Sequence, residues 1–103
     1  MKIIKIVTEL GIVDVKPKRI FEHNNIKYAI VPFPYKYLNS EDISYMDKCV
    51  HYQSGYHIPI YNNFSKTIKG LIEKSIEILD MLYKDLGKDK FIEQINSKKV
   101  INN

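Results

Sequence analysis

Three side chains able to hold a soft or borderline metal ion lie close together in Cys49-Val50-His51-Tyr52-Gln53-Ser54-Gly55-Tyr56-His57. A thiolate and two imidazoles suffice to bind zinc, and three protein ligands with an open fourth position would have the form of a catalytic site. They can meet only if the chain reverses between them. β-Branched and aromatic residues on both sides of Gln53-Ser54-Gly55 predict that reversal as a hairpin with strands Tyr45 to Tyr52 and Tyr56 to Tyr61. A three-residue loop with Gly55 left-handed sets Tyr52 opposite Tyr56 and Val50 opposite Ile58. Val50, Tyr52, Tyr56, Ile58 and Ile60 then share an apolar face. Cys49, His51 and His57 fall on the other face, with His51 directly across from His57. No fourth ligand and no paired short ligand spacing accompanies them, so the expectation is a histidine pair on a polar face, with no metal and no other cofactor.

Other catalytic constellations are weaker still. Ser54 lacks the Gly-x-Ser-x-Gly elbow that exposes and activates a hydroxyl. Cys49 and His51 point the same way from a strand, but no third residue is placed to orient the imidazole. The glycines at 11, 55, 70 and 87 are too far apart to cradle a phosphate. Glu41, Asp42 and Asp47 form a solvated acidic segment. His23 flanks a turn and is expected to face solvent. The chain is therefore expected not to be an enzyme.

Tyrosine is the residue type in excess, with eight copies and no tryptophan. Tyr28, Tyr52, Tyr56 and Tyr83 have core-facing positions, whereas Tyr35, Tyr37, Tyr45 and Tyr61 do not. Surface tyrosines supply contact area at low entropy cost and are enriched where proteins bind proteins. Pro32-Phe33-Pro34-Tyr35-Lys36-Tyr37-Leu38 is the first candidate for such a contact. Phe33, Tyr35, Lys36 and Tyr37, joined by Tyr45 and Tyr61, make up the expected partner-binding surface. Packing of these rings over an open sheet edge is the competing expectation.

The formal charge of +4 and pI of about 9.1 favour an anionic partner. The 15 lysines against one arginine, with 17 isoleucines and 8 asparagines, match instead the codon bias of an AT-rich genome. Scattered lysines are poor readers of base edges, so nucleic-acid or nucleotide binding is the alternative reading rather than the first. No apolar run reaches the ~18 residues of a membrane span, and Met1-Lys2-Ile3-Ile4-Lys5-Ile6-Val7 lacks the form of a signal peptide. With a single cysteine, the expected location is the cytosol.

Positioning falls to a small set of elements. Met1 to Val15 is strand-like, with a bend or bulge at Gly11. Arg19 to His23 and Ile26 to Val31 flank Asn24-Asn25, whose residues tolerate the positive φ of a two-residue hairpin turn. Phe21 then lies opposite Tyr28 and Arg19 opposite Ile30, giving Phe21, Ile26, Tyr28 and Ile30 a common core face. Pro32 and Pro34 should end that strand and open an irregular excursion over Tyr35 to Asp42. From Ser65, a good N-cap, to Leu86 the period becomes 3.6, and Gly87 stops the helix. Asp89 to Ser97 is a short second helix, and 98–103 a frayed tail. The expected fold is one α+β domain over 1–103: an antiparallel sheet of four or five strands, built on two hairpins and covered by the long helix. The helix should bury its stripe against Phe21, Tyr28, Ile30, Val50 and Ile58. A second copy of the chain could close an open sheet edge as a homodimer.

In order, these signals resemble small phage and prophage proteins that carry a hairpin, a second His-x-x-Ser/Thr-Gly hairpin and a helix entered through Lys-Thr. The likeness runs over residues 19 to 86, through Phe21 to Ile30, Val50 to Ile58 and Ser65 to Ile72, and its motifs are turns and caps. The double-proline excursion departs from that pattern. The resemblance implies a mobile-element origin and no inherited catalytic residues. It carries no known activity with it; because mobile elements devote many chains of this size to countering host defences, the expected role is inhibition of a host factor, a nucleic-acid-directed defence enzyme of the CRISPR type being the expected target, reached in the host cytoplasm.

Overall fold

The computed structural model describes residues 2–58 and 67–102. Among these residues five strands and two helices follow one another: β1 (Ile4–Thr8), β2 (Gly11–Val15), β3 (Arg19–His23), β4 (Ile26–Tyr35), β5 (Ser44–His51), α1 (Ile68–Leu86) and α2 (Lys88–Asn96). All strand pairings are antiparallel and the fold is α+β. The strands form two sheets, β1-β2 and β3-β4-β5. What was expected as one bent strand at the N-terminus is a hairpin. The chain turns at Glu9-Leu10, and Thr8 fastens the turn by accepting from the Leu10 N–H and donating to the Gly11 carbonyl.

The β3-β4 hairpin has the expected register, with Phe21 opposite Tyr28 and Arg19 opposite Ile30. Asn24 and Asn25 both have positive φ, 53° and 64°, as the primed two-residue turn requires. Pro32 and Pro34 do not end β4, which continues to Tyr35 against β5. Lys18 N–H donates to the Ile30 carbonyl, so even-numbered residues of β4 turn their backbone groups toward β3 and odd-numbered ones toward β5. Since β3 ends at Arg19 opposite Ile30, the missing donors of Pro32 and Pro34 fall where no β3 residue needs them.

The central β3-β4-β5 sheet is covered on both faces, giving three layers. Against the β1-β2 sheet it packs Ala29, Val31, Phe33, Val50 and Tyr52 on Ile4, Ile6 and Val15. Against the helices it packs Tyr28, Ile30 and Cys49, with Ile58, on Leu71, Leu79 and Phe91. Val50 therefore meets β1 and not the helix, contrary to expectation. Four successive residues of β4, Tyr28 to Val31, are buried, as a strand enclosed from both sides requires.

Thr67 caps α1: its Oγ1 accepts from the Gly70 N–H at 3.0 Å. Ser65 lies outside the described residues. The inward line of α1 is Leu71, Ser75 and Leu79, and the Ser75 hydroxyl is satisfied by donating to the Leu71 carbonyl at 2.7 Å. Gly87 ends the helix at φ 83°, its N–H donating to the Tyr83 carbonyl, and α2 folds back so that Phe91 meets Tyr83 with ring centroids 5.4 Å apart. His23 is not a free turn flank, because its Nε2 pairs with Asp80 Oδ1 at 2.6 Å and ties the β3-β4 hairpin to α1.

The C-terminal segment is not frayed. The Ile101 and Asn102 N–H groups donate to the Gln53 carbonyl at 2.7 and 3.0 Å. The buried Asn102 side chain accepts from the Lys5 N–H and donates to the Lys5 and Tyr52 carbonyls, all within 2.8 Å. One primary amide thus occupies the outer edge of β1 as a neighbouring strand would, and joins it to the turn after β5.

Candidate functional site

The Cys49, His51, His57 set is dispersed by a one-residue difference in register. His57 bridges Val50, not His51, and the Ile58 N–H donates to the Cys49 carbonyl, so the chain turns through residues 52–55. β1 enforces this turn. The Val7 N–H donates to the Gly55 carbonyl at 3.0 Å, and a Cβ on Gly55 would stand 2.6 Å from the Lys5 carbonyl oxygen. Cys49 and His51 stand opposite Ile30 and Tyr28 of β4, so they lie on the helix-facing side of the central sheet rather than on an open polar face. The His57 ring packs edge-on against Phe33, which belongs to the other core, with centroids 5.2 Å apart. Among the described residues no three His, Cys, Asp or Glu side chains gather as a metal site would require. Cys49 is fully buried, and burial pushes its thiol up to about 12 although a hydrogen bond with Ser75 works the other way. That is the reverse of an activated nucleophile.

Of the expected binding surface, Phe33 is not available. It is 5% exposed, in the core between the sheets, with the Lys48 ammonium 4.6 Å from its ring centroid. Tyr61 lies outside the described residues. Tyr35, Lys36, Tyr37 and Tyr45 gather at the end of the β4-β5 hairpin, which projects beyond the end of β3. Tyr35 and Tyr37 form a pair, rings edge to face at 5.2 Å and hydroxyls 3.3 Å apart. Tyr45 stands opposite Pro34, one residue out of step with Tyr35 opposite Ser44, and so emerges on the other face of the hairpin. Leu38 is 97% exposed at the tip, and Tyr37, Ile43 and Tyr45 are exposed around it. Sequence reasoning placed Leu38 in the candidate segment without singling it out, and did not include Ile43. Tyr56, expected in the core, is exposed, with the Lys98 ammonium over its ring.

Lys27, Lys48 and Lys98 each lie 4.6 Å from the centroid of a different ring, Tyr52, Phe33 and Tyr56 respectively. Their stems cover apolar surface while the charges stay near water.

A second feature was missed. Between the central sheet and the two helices lies a cavity of about 210 Å³, walled by Leu79, Leu82, Leu86, Phe91 and Ile95 and lined also by Tyr28, His51 and Ser54. His51 Nδ1 and Ser54 Oγ are 2.7 Å apart, and Ser54 Oγ also accepts from the Tyr56 N–H at 3.3 Å. Burial holds the His51 imidazole below its ordinary titration range and raises the Tyr28 phenol above its own, the latter with a further push from Cys49. The available signal was the uninterrupted apolar run of β4, which marks a strand buried on both sides and therefore places a cross-strand neighbour such as His51 inside. No helix among the described residues is long and apolar enough to cross a membrane. Comparison of the chain with protein-family models, with curated proteins and with solved structures finds no match.

Proposed function

We propose that the chain is a non-catalytic binding protein that inserts the tip of its β4-β5 hairpin into a groove on a protein partner. The observation that carries this reading is the exposure of Tyr37, Leu38, Ile43 and Tyr45 around one projecting turn. Because Tyr35 and Tyr45 emerge on opposite faces, the contact surface has the shape of a finger and suits a cleft better than a flat epitope. Aromatic anchors of this kind concentrate binding energy: truncation of a buried interface tyrosine costs about 2 kcal/mol or more, ~30-fold in affinity. The acidic Glu41 and Asp42 beside the tip, together with Lys36, supply a mixed polar rim. The partner class follows from the phage-like order of sequence signals: a host factor that the protein inhibits, in the first instance a nucleic-acid-directed defence enzyme.

The test is affinity capture from a bacterial host lysate, after nuclease treatment and at raised salt, with wild-type protein and with a Tyr37→Ser, Leu38→Ser, Tyr45→Ser variant. All three positions are exposed, so the variant should melt at the wild-type temperature. A discrete protein held by the wild type and lost by the variant is the expected result. Equal capture by both refutes the finger, and recovery of only nuclease-sensitive, salt-labile material transfers the reading to nucleic acid.

A further inference from the structure

We propose that the cavity between the central sheet and the α1-α2 pair is a binding site for a small neutral molecule with an apolar body and one carbonyl-type oxygen. The inference is independent of the hairpin tip. Its first support is Tyr28, which is 1% exposed and lines the cavity, and whose hydroxyl has no hydrogen-bond partner among the described residues. A buried phenol without an acceptor is costly, and a ligand oxygen in the cavity would remove that cost. Its second support is His51, directly opposite Tyr28 on β5, with ring centroids 6.0 Å apart.

Proton accounting fixes what His51 offers. Ser54 is 1% exposed and its Oγ already accepts from the Tyr56 N–H; donating its own proton to His51 Nδ1 satisfies the hydroxyl within the protein. With Nδ1 accepting, the proton of the neutral imidazole sits on Nε2, which is then a donor with no partner among the described residues. Tyr28 and His51 therefore both present donors, and the complementary group is an acceptor. No cation lies beside Tyr28 and His51 to compensate a carboxylate: burial holds the His51 imidazole neutral, and Lys98, the one lysine of the lining, is exposed at the rim with its ammonium over Tyr56. A neutral carbonyl fits where an anion does not. The size is set by the volume, since an apolar cavity of ~150 Å³ accepts benzene. About 210 Å³ admits a ring bearing a short acyl group.

The probes are acetophenone, ethylbenzene of nearly the same shape without an acceptor, and benzoate of similar size with a charge. Binding is read from ligand-dependent shifts of backbone amide resonances of Ser54, Leu79 and Phe91 in the full chain. Acetophenone should bind about fivefold more tightly than ethylbenzene, the worth of one neutral hydrogen bond, and benzoate should not bind detectably. Tyr28→Phe keeps the ring and removes only the unpartnered hydroxyl, so it should fold, should bind ethylbenzene as the wild type does, and should bind acetophenone more weakly than the wild type. No shift with acetophenone, no preference over ethylbenzene, a preference that Tyr28→Phe leaves undiminished, or tighter binding of benzoate would each overturn the proposal. Should Tyr28→Phe fail to fold, the ranking of the three compounds on the wild-type protein decides alone.

Discussion

Replacing Asn102 by alanine should destabilise a residue position that sequence alone assigns to a loose tail. The side chain makes three hydrogen bonds, from the Lys5 N–H and to the Lys5 and Tyr52 carbonyls, at 2.8, 2.8 and 2.7 Å, and the residue is 7% exposed. Each is worth about 1 kcal/mol net, and because the Lys5 groups can regain some water the sum is set at about 2–3 kcal/mol. In a domain of this size that lowers the melting temperature by roughly 10–20 °C, measurable by far-ultraviolet circular dichroism. Amide exchange gives a second reading, since the Lys5 N–H is held by the Asn102 side chain and should exchange faster in the variant. Asn102→Asp sharpens the argument. It sets a carboxylate oxygen against two carbonyls, so it should be at least as damaging at neutral pH and should recover in part in acid, once the carboxyl regains a proton to donate. An unchanged melting temperature with unchanged exchange at Lys5 would refute the account of the C-terminal segment as a fastening.

Three further outcomes follow from the same geometry. Gly55→Ala combines a left-handed backbone, φ 73°, with a Cβ 2.6 Å from the Lys5 carbonyl oxygen and 2.9 Å from Ile6 Cα, and should cost about 3 kcal/mol or more in chemical denaturation. Asn25→Gly places the preferred residue at φ 64° in the primed turn and should raise the unfolding free energy measured in urea by a few tenths to about 1 kcal/mol, whereas Asn25→Val should lower it. Stability should fall at both ends of the pH scale. His51, with its folded value depressed, stays neutral while the unfolded chain takes up a proton below about 6.5, and Cys49 stays a thiol up to about 12 while the unfolded chain ionises from about 9. The first loss appears as pH falls and the second as it rises, each with a limiting slope of about 1.4 kcal/mol per pH unit per proton. His51→Gln should flatten the acid limb in urea titrations, and an unaltered limb would assign it to other groups.

The parts of the fold legible in the sequence are those fixed by local chemistry. Asn24-Asn25 can make only a few kinds of turn, and the two-residue turn between alternating strands sets the β3-β4 register without help from the rest of the molecule. The 3.6-residue period of α1 and the stop at Gly87 are likewise local. The tyrosine tip was partly legible, because Tyr37 and Tyr45 are exposed as their positions outside the apolar pattern suggest, while Phe33 belongs to the core between the sheets.

The β5 turn shows why the remainder was not legible. Choosing its register by polarity presumes that one face of the sheet is buried and the other wet, and under that presumption Val50 and Ile58 must share a face. In this molecule the β1-β2 sheet covers the face opposite the helices, so Val50 and Cys49, adjacent in sequence, are each fully buried in a different core. With both faces apolar, alternation no longer distinguishes the two registers, and the choice passes to a tertiary contact, the seating of Gly55 against Lys5 and Ile6. A glycine can fit there because it has no Cβ, which makes it both the turn residue seen in the sequence and the contact point that sequence could not locate. The same enclosure turns His51 from an exposed candidate ligand into a buried donor beside Tyr28. The metal reading and the cavity reading thus share His51, which its pairing with Tyr28 sets on the helix face, while the single-residue register shift seated by β1 sends His57 to the other face.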